Sequence, residues 1–254
     1  MRRVAIVMAM RAEARPVVDA LGAHRVPLPE AAGPLPHEWY RATRGSLQVT
    51  VAVNGVDRRF GVDKIGTQPA ALNAYVTCVH ERPDLLISAG TAGGWARHGT
   101  RIGDVFVSDG HFLFHDRRID LPGFADYGVG RYPAVDARAL AAAIGAKTGL
   151  VTTSDSLDES DDDRRMIEAH GGHVKEMEAA AVAWVAELLG VSVLALKAIT
   201  DLVDSPVATV EQFDANLATA SARLADRLLA ALDFVDGRTL AELGIGERQH
   251  IVER

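Results

Sequence analysis

Residues 191–204 read VSVLALKAITDLVD, an apolar run that ends on an acid, Asp201, with a second acid at Asp204. Near-continuous apolar runs of this length are the signature of strands buried on both faces of a parallel sheet. Comparable runs rich in Val, Ile and Leu occur at 4–10, 47–53, 85–88, 105–109 and 148–152. Helix-like segments alternate with them at 12–21, 68–80, 137–146, 161–170, 179–189 and 210–235. The alternation predicts an α/β fold, a single domain with a central mixed, largely parallel sheet flanked by helices. Ligands of open α/β sheets gather at the carboxyl ends of the strands.

Local signals sharpen some helix starts. Thr209 followed by Gln212 has the pattern of a capping box, with Pro206 just upstream. Ser160 before Asp161, Asp162 and Asp163 reads as a capped first turn whose acids favour the helix dipole, in preference to a metal site. Segments 27–36 and 121–133 read as loops, the second a Pro/Gly/aromatic excursion. No linker divides residues 1–236, and 237–254 reads as a charged tail.

The chain has 254 residues, 48% hydrophobic and 24% charged, with a formal net charge of −7. That balance suits a soluble globular protein and disfavours a nucleic-acid partner, which needs clustered Lys and Arg. The single cysteine, Cys78, excludes an internal disulfide and fits a reducing compartment; within a helix-like stretch it reads as a small buried hydrophobe. The N-terminal run meets Arg11, Glu13 and Arg15 with no cleavage signal, so it reads as a first strand and not a leader. No run approaches the roughly 20 apolar residues that span a bilayer. A cytoplasmic protein without a membrane partner is expected.

Four strand ends carry residues with chemical potential. Glu13 falls in the first turn of a helix, where it serves either the dipole or as a general base. Residues 88–94, SAGTAGG, read as a tight turn that admits a ligand to the backbone and offers the Thr91 hydroxyl. The run lacks the full dinucleotide fingerprint, which disfavours NAD. Glu176 and Glu178 bracket Met177 at a strand–helix junction, where a carboxylate can accept hydrogen bonds from vicinal sugar hydroxyls or simply start the helix. Asp201, ending a buried strand, is desolvated, which raises its pKa and suits it to deliver a proton. A turn-capping role fits Asp204 better than Asp201.

In order along the chain, AMRAEARP, SAGTAGG, IGDVFVSD, FHDRRI, TSDSLD, KEMEAAAVA and KAITDLVD resemble the 5′-methylthioadenosine nucleosidases of the nucleoside phosphorylase/hydrolase superfamily. FHDRRI, TTSDSLD and GVDKIGT resemble its plant-type branch. The resemblance implies a nucleoside phosphorylase-like fold and N-glycosidic hydrolysis of 5′-methylthioadenosine in methionine salvage, with no cofactor or metal, and leaves S-adenosylhomocysteine open as a second substrate. It implies Asp201 as the acid on adenine and Glu13 as the base on water. Glu178 would bind the ribose, with Met177 against the sugar and Thr91 near the water. Leu157 would pack on the purine, with Asp158 adding a hydrogen-bonding group beside the base. Leu157 replaces a usual aromatic, and Ala179 a usual Gly. Tyr127 lies in a segment that resembles one closing the alkylthio pocket of a neighbouring subunit, so a homodimer is implied. The competing readings are a phosphorolytic enzyme, a futalosine-type nucleosidase and a non-catalytic nucleoside-binding or storage protein.

Overall fold

Alternate residues of each apolar run face opposite sides of the sheet, so a strand without polar positions must be covered on both faces. The computed structural model describes residues 1–243 and meets that demand with two helical layers. Its elements are, in chain order, β1 (Arg3–Met8), α1 (Arg11–Leu21), β2 (His24–Val26), β3 (Glu38–Arg44), β4 (Leu47–Val53), the small hairpin β5 (Val56–Asp57) and β6 (Val62–Asp63), and α2 (Thr67–Glu81). Then come β7 (Leu85–Gly94), β8 (Val105–Phe114), α3 (Ala125–Val129), β9 (Tyr132–Pro133), α4 (Arg138–Ile144), β10 (Lys147–Thr153), α5 (Asp161–His170), β11 (Val174–Glu176), α6 (Ala179–Leu189), β12 (Ser192–Leu202) and α7 (Thr209–Val235). On one face Val4, Ile6 and Met8 of β1 pack with Ala14 and Val17 of α1 and Leu224 and Leu228 of α7. On the other, Ala5 and Val7 pack with Ala70 and Ala74 of α2 and with the alanines of α6.

The fold is α/β in a single domain with a mixed sheet, as expected, but that sheet closes on itself instead of lying open. Its strand order is β11-β10-β8-β12-β7-β1-β4-β3-β2, and β11 also pairs with β7. Parallel pairing joins β4 to β1, β1 to β7, β7 to β12, β8 to β10 and β10 to β11. Antiparallel pairs join β12 to β8, β11 to β7, β9 to β8 and the edge strands β2, β3 and β4. The β11–β7 contact bends half of the mixed sheet round on itself like a barrel.

Two long strands make that closure possible. β7 continues through SAGTAGG instead of turning there, and β12 runs beside it as far as Leu202. The glycines serve close approach, because Cβ atoms at Gly93 and Gly94 would lie 2.7 Å from Asp201 Oδ2 and 2.6 Å from Thr100. β3 was not anticipated; EWYRATR alternates polar and apolar residues near the sheet edge, with only its first residues buried.

The first turn after Ser160 is capped as expected, and the structure adds a full capping box there, the Ser160 hydroxyl accepting from Asp163 N at 3.2 Å. The capping box expected at Thr209 does not form. Thr209 is already helical, and Gln212 instead bonds Leu202 N and O at 3.0 and 3.2 Å, tying α7 to the end of β12. Cys78 is a buried hydrophobe whose thiol burial pushes up to about 12. Among the described residues no helix is long and apolar enough to cross a membrane. The expected tail from 237 lies largely outside the described residues.

Candidate active site

The carboxyl ends of β1, β7, β11 and β12 open on one cavity, lined among others by Glu13, Thr91, Gly93, Leu157, Met177, Glu178 and Asp201. The closure of the sheet brings β11 to the same place, which an open sheet would not do.

Glu13 is the third residue of α1 and is buried. One carboxylate oxygen accepts from Thr91 N at 2.7 Å and from Thr91 Oγ1 at 2.6 Å, and the other from Met10 N at 3.4 Å. Burial pushes its carboxyl above the ordinary range, against the pull of the Thr91 hydrogen bonds and the charge of Lys197. Glu13 thus closes the helix start and also faces the cavity.

Asp201 owes its aim to a β-bulge. The register of β12 against β7 shifts between Ile199 and Asp201, leaving Thr200 out of step. Such a shift re-aims the side chain that follows. Thr200 Oγ1 donates to Asp201 Oδ1 at 2.9 Å, and burial raises the carboxyl's pKa above the usual range. Asp204 is a cap, but for another segment, accepting from Ala96 N and Arg97 N at 2.7 and 2.9 Å.

Glu13 and Asp201 clasp the same strand from opposite sides. Glu13 grips Thr91 of β7 and Asp201 stands against Gly93. Residues 91 and 93 share a face, roughly 7 Å apart along the strand. β1 and β12 flank β7 on its two sides, so the two acids are also offset laterally across the cavity.

Glu178 is the half-buried residue that starts α6, and accepts from Gly66 N at 2.9 Å. Burial and the neighbouring Glu176 push its carboxyl up to about 7, against the charge of Lys197. Glu176, at the same junction, is sealed inside. It pairs with Lys197 Nζ at 2.7 Å, both side chains 1% exposed, and accepts from Glu178 N and Ala179 N at the start of α6. Lys197 thus stands among Glu176, Glu178 and Glu13, and their charges hold its pKa up against desolvation. A buried ion pair stripped of one partner costs about 3–5 kcal/mol.

Met177, Thr91 and Leu157 line the cavity as expected. Asp158 does not; its side chain is exposed outside the lining. Tyr127 is 59% exposed on α3, edge-on to Phe124, and does not reach this chain's own cavity. Sequence reasoning missed Lys197 and Lys175. A lysine inside an apolar run such as LALKAIT was the available signal, since Lys is almost never buried unless paired. Ile65 and Phe213 also line the cavity, from a loop and from α7.

Residues 3–232 match the family described as the phosphorylase superfamily. The 5′-methylthioadenosine nucleosidase of Arabidopsis thaliana is 41% identical over 94% of this chain and 90% of its own length. A 5′-methylthioadenosine/S-adenosylhomocysteine nucleosidase of the same plant is 36% identical over 94% of each chain. The structure of the Arabidopsis thaliana 5′-methylthioadenosine nucleosidase in apo form superposes with a TM-score of 0.92 at 39% identity, covering 95% of this chain and 99% of that one. On these likenesses, the chain belongs to the plant-type 5′-methylthioadenosine nucleosidase family of the phosphorylase superfamily.

Proposed function

We propose that the protein hydrolyses the N-glycosidic bond of 5′-methylthioadenosine, releasing adenine and 5-methylthioribose. The observation that carries this is the pair of buried carboxyls, Glu13 and Asp201, held against Thr91 and Gly93 on one face of β7. Burial that raises the pKa of Asp201 keeps a proton available for the imidazole-side nitrogen of adenine, which makes the base a better leaving group. Bond breaking then leaves an oxocarbenium-like sugar. Glu13 takes a proton from the water that attacks its anomeric carbon, and Thr91 orients Glu13. Glu178 accepts hydrogen bonds from the ribose hydroxyls, Met177 packs on the sugar and Leu157 on the purine. Cleavage of S-adenosylhomocysteine, named for one relative, belongs in the same assay.

Water is favoured over phosphate because the first strand–helix turn offers the carboxylate of Glu13. Lys197, whose charge acts on Glu13, is engaged by Glu176. A dianion at this turn would meet like charge. A homodimer in which Tyr127 closes the partner's cavity fits the exposure of Tyr127 and of apolar side chains on α2 and α6. A single buried cysteine is in keeping with a cytoplasmic setting.

The test is adenine release from 5′-methylthioadenosine in phosphate-free buffer, with Asp201→Asn alongside. Wild-type protein is expected to release adenine without phosphate. Asp201→Asn should lose about 10²–10⁴-fold in kcat with little change in substrate binding. Activity that needs phosphate would make the enzyme a phosphorylase, and near-normal turnover in the variant would remove Asp201 from the acid role.

A further inference from the structure

Lys175 lies on β11 at 5% exposure and lines the cavity, yet none of the steps above uses it. Its Nζ donates to the carbonyl oxygens of Ser156 and Leu157 at 3.0 and 2.8 Å. Those carbonyls belong to the loop after β10 that brings Leu157 to the cavity. An ammonium has three donors, so two are engaged by the loop and one is left over.

The closure of the sheet gives Lys175 a second neighbour. Gly93 of β7 is in register with Lys175 on one side and with Asp201 on the other. Side chains that share a row across adjacent strands project to the same face. Between them the row holds only a glycine, where a Cβ would lie 2.7 Å from Asp201 Oδ2. With no side chain at Gly93, β7 places nothing between Lys175 and Asp201 in that row.

We propose that Lys175 is a positioning residue for departure of the base, a single buried ammonium that fixes the Leu157 loop over the purine and sets the proton affinity of Asp201. The proposal rests on Asp201 being the acid. Burial raises the proton affinity of Asp201, while the charge of Lys175 lowers it. An acid held too strongly to its proton is a poor donor, so the cation tunes the carboxyl toward the working range. Asp201 otherwise faces Thr200. Lys175 faces Asp201 from β12, Asp158 and Glu159 from the loop, and Asp163 from α5. It also faces His115 beyond β8, whose ring burial pulls down to about 4, so the imidazole is uncharged at neutral pH.

The experiment compares Lys175→Met, Lys175→Gln and Lys175→Arg with wild type and with Asp201→Asn. It measures 5′-methylthioadenosine cleavage between pH 5 and 10, with melting temperatures recorded for each protein. Loss of the charge leaves Asp201 protonated to higher pH, so the alkaline limb of kcat/KM should move up by about one pH unit in the Met and Gln variants. Lys175→Arg keeps the charge and should keep the limb in place. The loop effect is separable. Lys175→Met should raise KM about tenfold, while Lys175→Gln, which retains an amide donor for the carbonyls, should raise it less. In an Asp201→Asn background, where that limb cannot arise from Asp201, Lys175→Met should still weaken adenine binding by calorimetry.

A folded Met or Gln variant with an unmoved limb and unchanged KM overturns the proposal while leaving the reaction intact. A merely structural lysine would change KM or melting temperature without moving the limb, which overturns the tuning role. Normal turnover by Asp201→Asn would remove the acid, and the proposal with it.

Discussion

Glu178 shows how a single carboxyl reports on its surroundings. Its pKa of about 7, against 4.5 for an ordinary glutamate, means that the folded protein keeps a proton which the unfolded chain has already released. The folded state therefore binds more protons across that window, and its stability falls as pH rises from about 4.5 to about 7, levelling off above. His115 acts in the opposite sense. Pulled down to about 4, it refuses a proton that the unfolded chain accepts, so its effect raises stability from about pH 4 to 6.5. The two trends mask each other in the wild-type curve, and only a difference reveals either. Glu178→Gln keeps an acceptor for Gly66 N but cannot ionise. Its melting temperature relative to wild type should climb between pH 4.5 and 7 by about 5 °C, corresponding to roughly 2 kcal/mol after discounting for the partial exposure of the group. A melting difference that is flat with pH would mean that Glu178 titrates normally. If Glu178 binds the ribose as proposed, the same variant should bind nucleoside less well above pH 7, where the wild-type group is a carboxylate.

At the scale of elements, β7 decides the site. Gly93 has no positive φ, so the backbone accepts alanine, and the obstacle is only the 2.7 Å approach to Asp201 Oδ2 and the 3.0 Å approach to Val203 Cγ2. Gly93→Ala should displace the Asp201 carboxyl and cost at least about tenfold in kcat, while changing stability by no more than about 1 kcal/mol. Wild-type kcat in a folded Gly93→Ala protein would show that the carboxyl position is not critical. This strand also marks the limit of legibility. Helices α5 and α6 and strand β4 have the bounds that periodicity predicts, because local caps and alternation define them. SAGTAGG misleads because glycine signals a turn by its own freedom, whereas here it makes room for side chains of β12, more than a hundred residues later. Glu13, Glu178 and Asp201 were readable as strand-end acids. Lys197 signalled its burial by lying in an apolar run, but its partner and the role of Lys175 were not readable, since these partners lie on other strands or loops and the β11–β7 pairing has no local signal. The Thr209 pattern failed for a related reason: Gln212 finds a better use in holding the end of β12.

At the scale of the molecule, the exposed apolar residues are not scattered. Leu72, Tyr75 and Val79 recur at helical spacing along α2, and Trp184 and Leu188 along α6, each more than 40% exposed. The two helices pack side by side, so these side chains form one face. Leu121, Phe124 and Tyr127 add a second exposed apolar group in the excursion around α3. A monomer gains nothing by presenting such a face to water, since contiguous apolar patches mark interaction surfaces. In the homodimer proposed above, a second copy of the chain buries this face about a two-fold axis and brings the partner subunit's Tyr127 to the cavity rim. Sedimentation equilibrium at micromolar concentration should accordingly return twice the 27.1 kDa chain mass. Leu188→Glu places a charge on a residue already 65% exposed, which costs the isolated fold about 0.5 kcal/mol or less. In a two-fold interface it places two like charges in an apolar contact, so the variant should sediment as a monomer with its melting temperature little changed. Its KM should rise, because the partner's Tyr127 no longer covers the alkylthio end of the substrate, while kcat, set by Asp201 and Glu13 within one chain, should fall less. A wild-type protein that sediments as a fully active monomer would refute the dimer, and a monomeric Leu188→Glu with unchanged KM would separate assembly from the site.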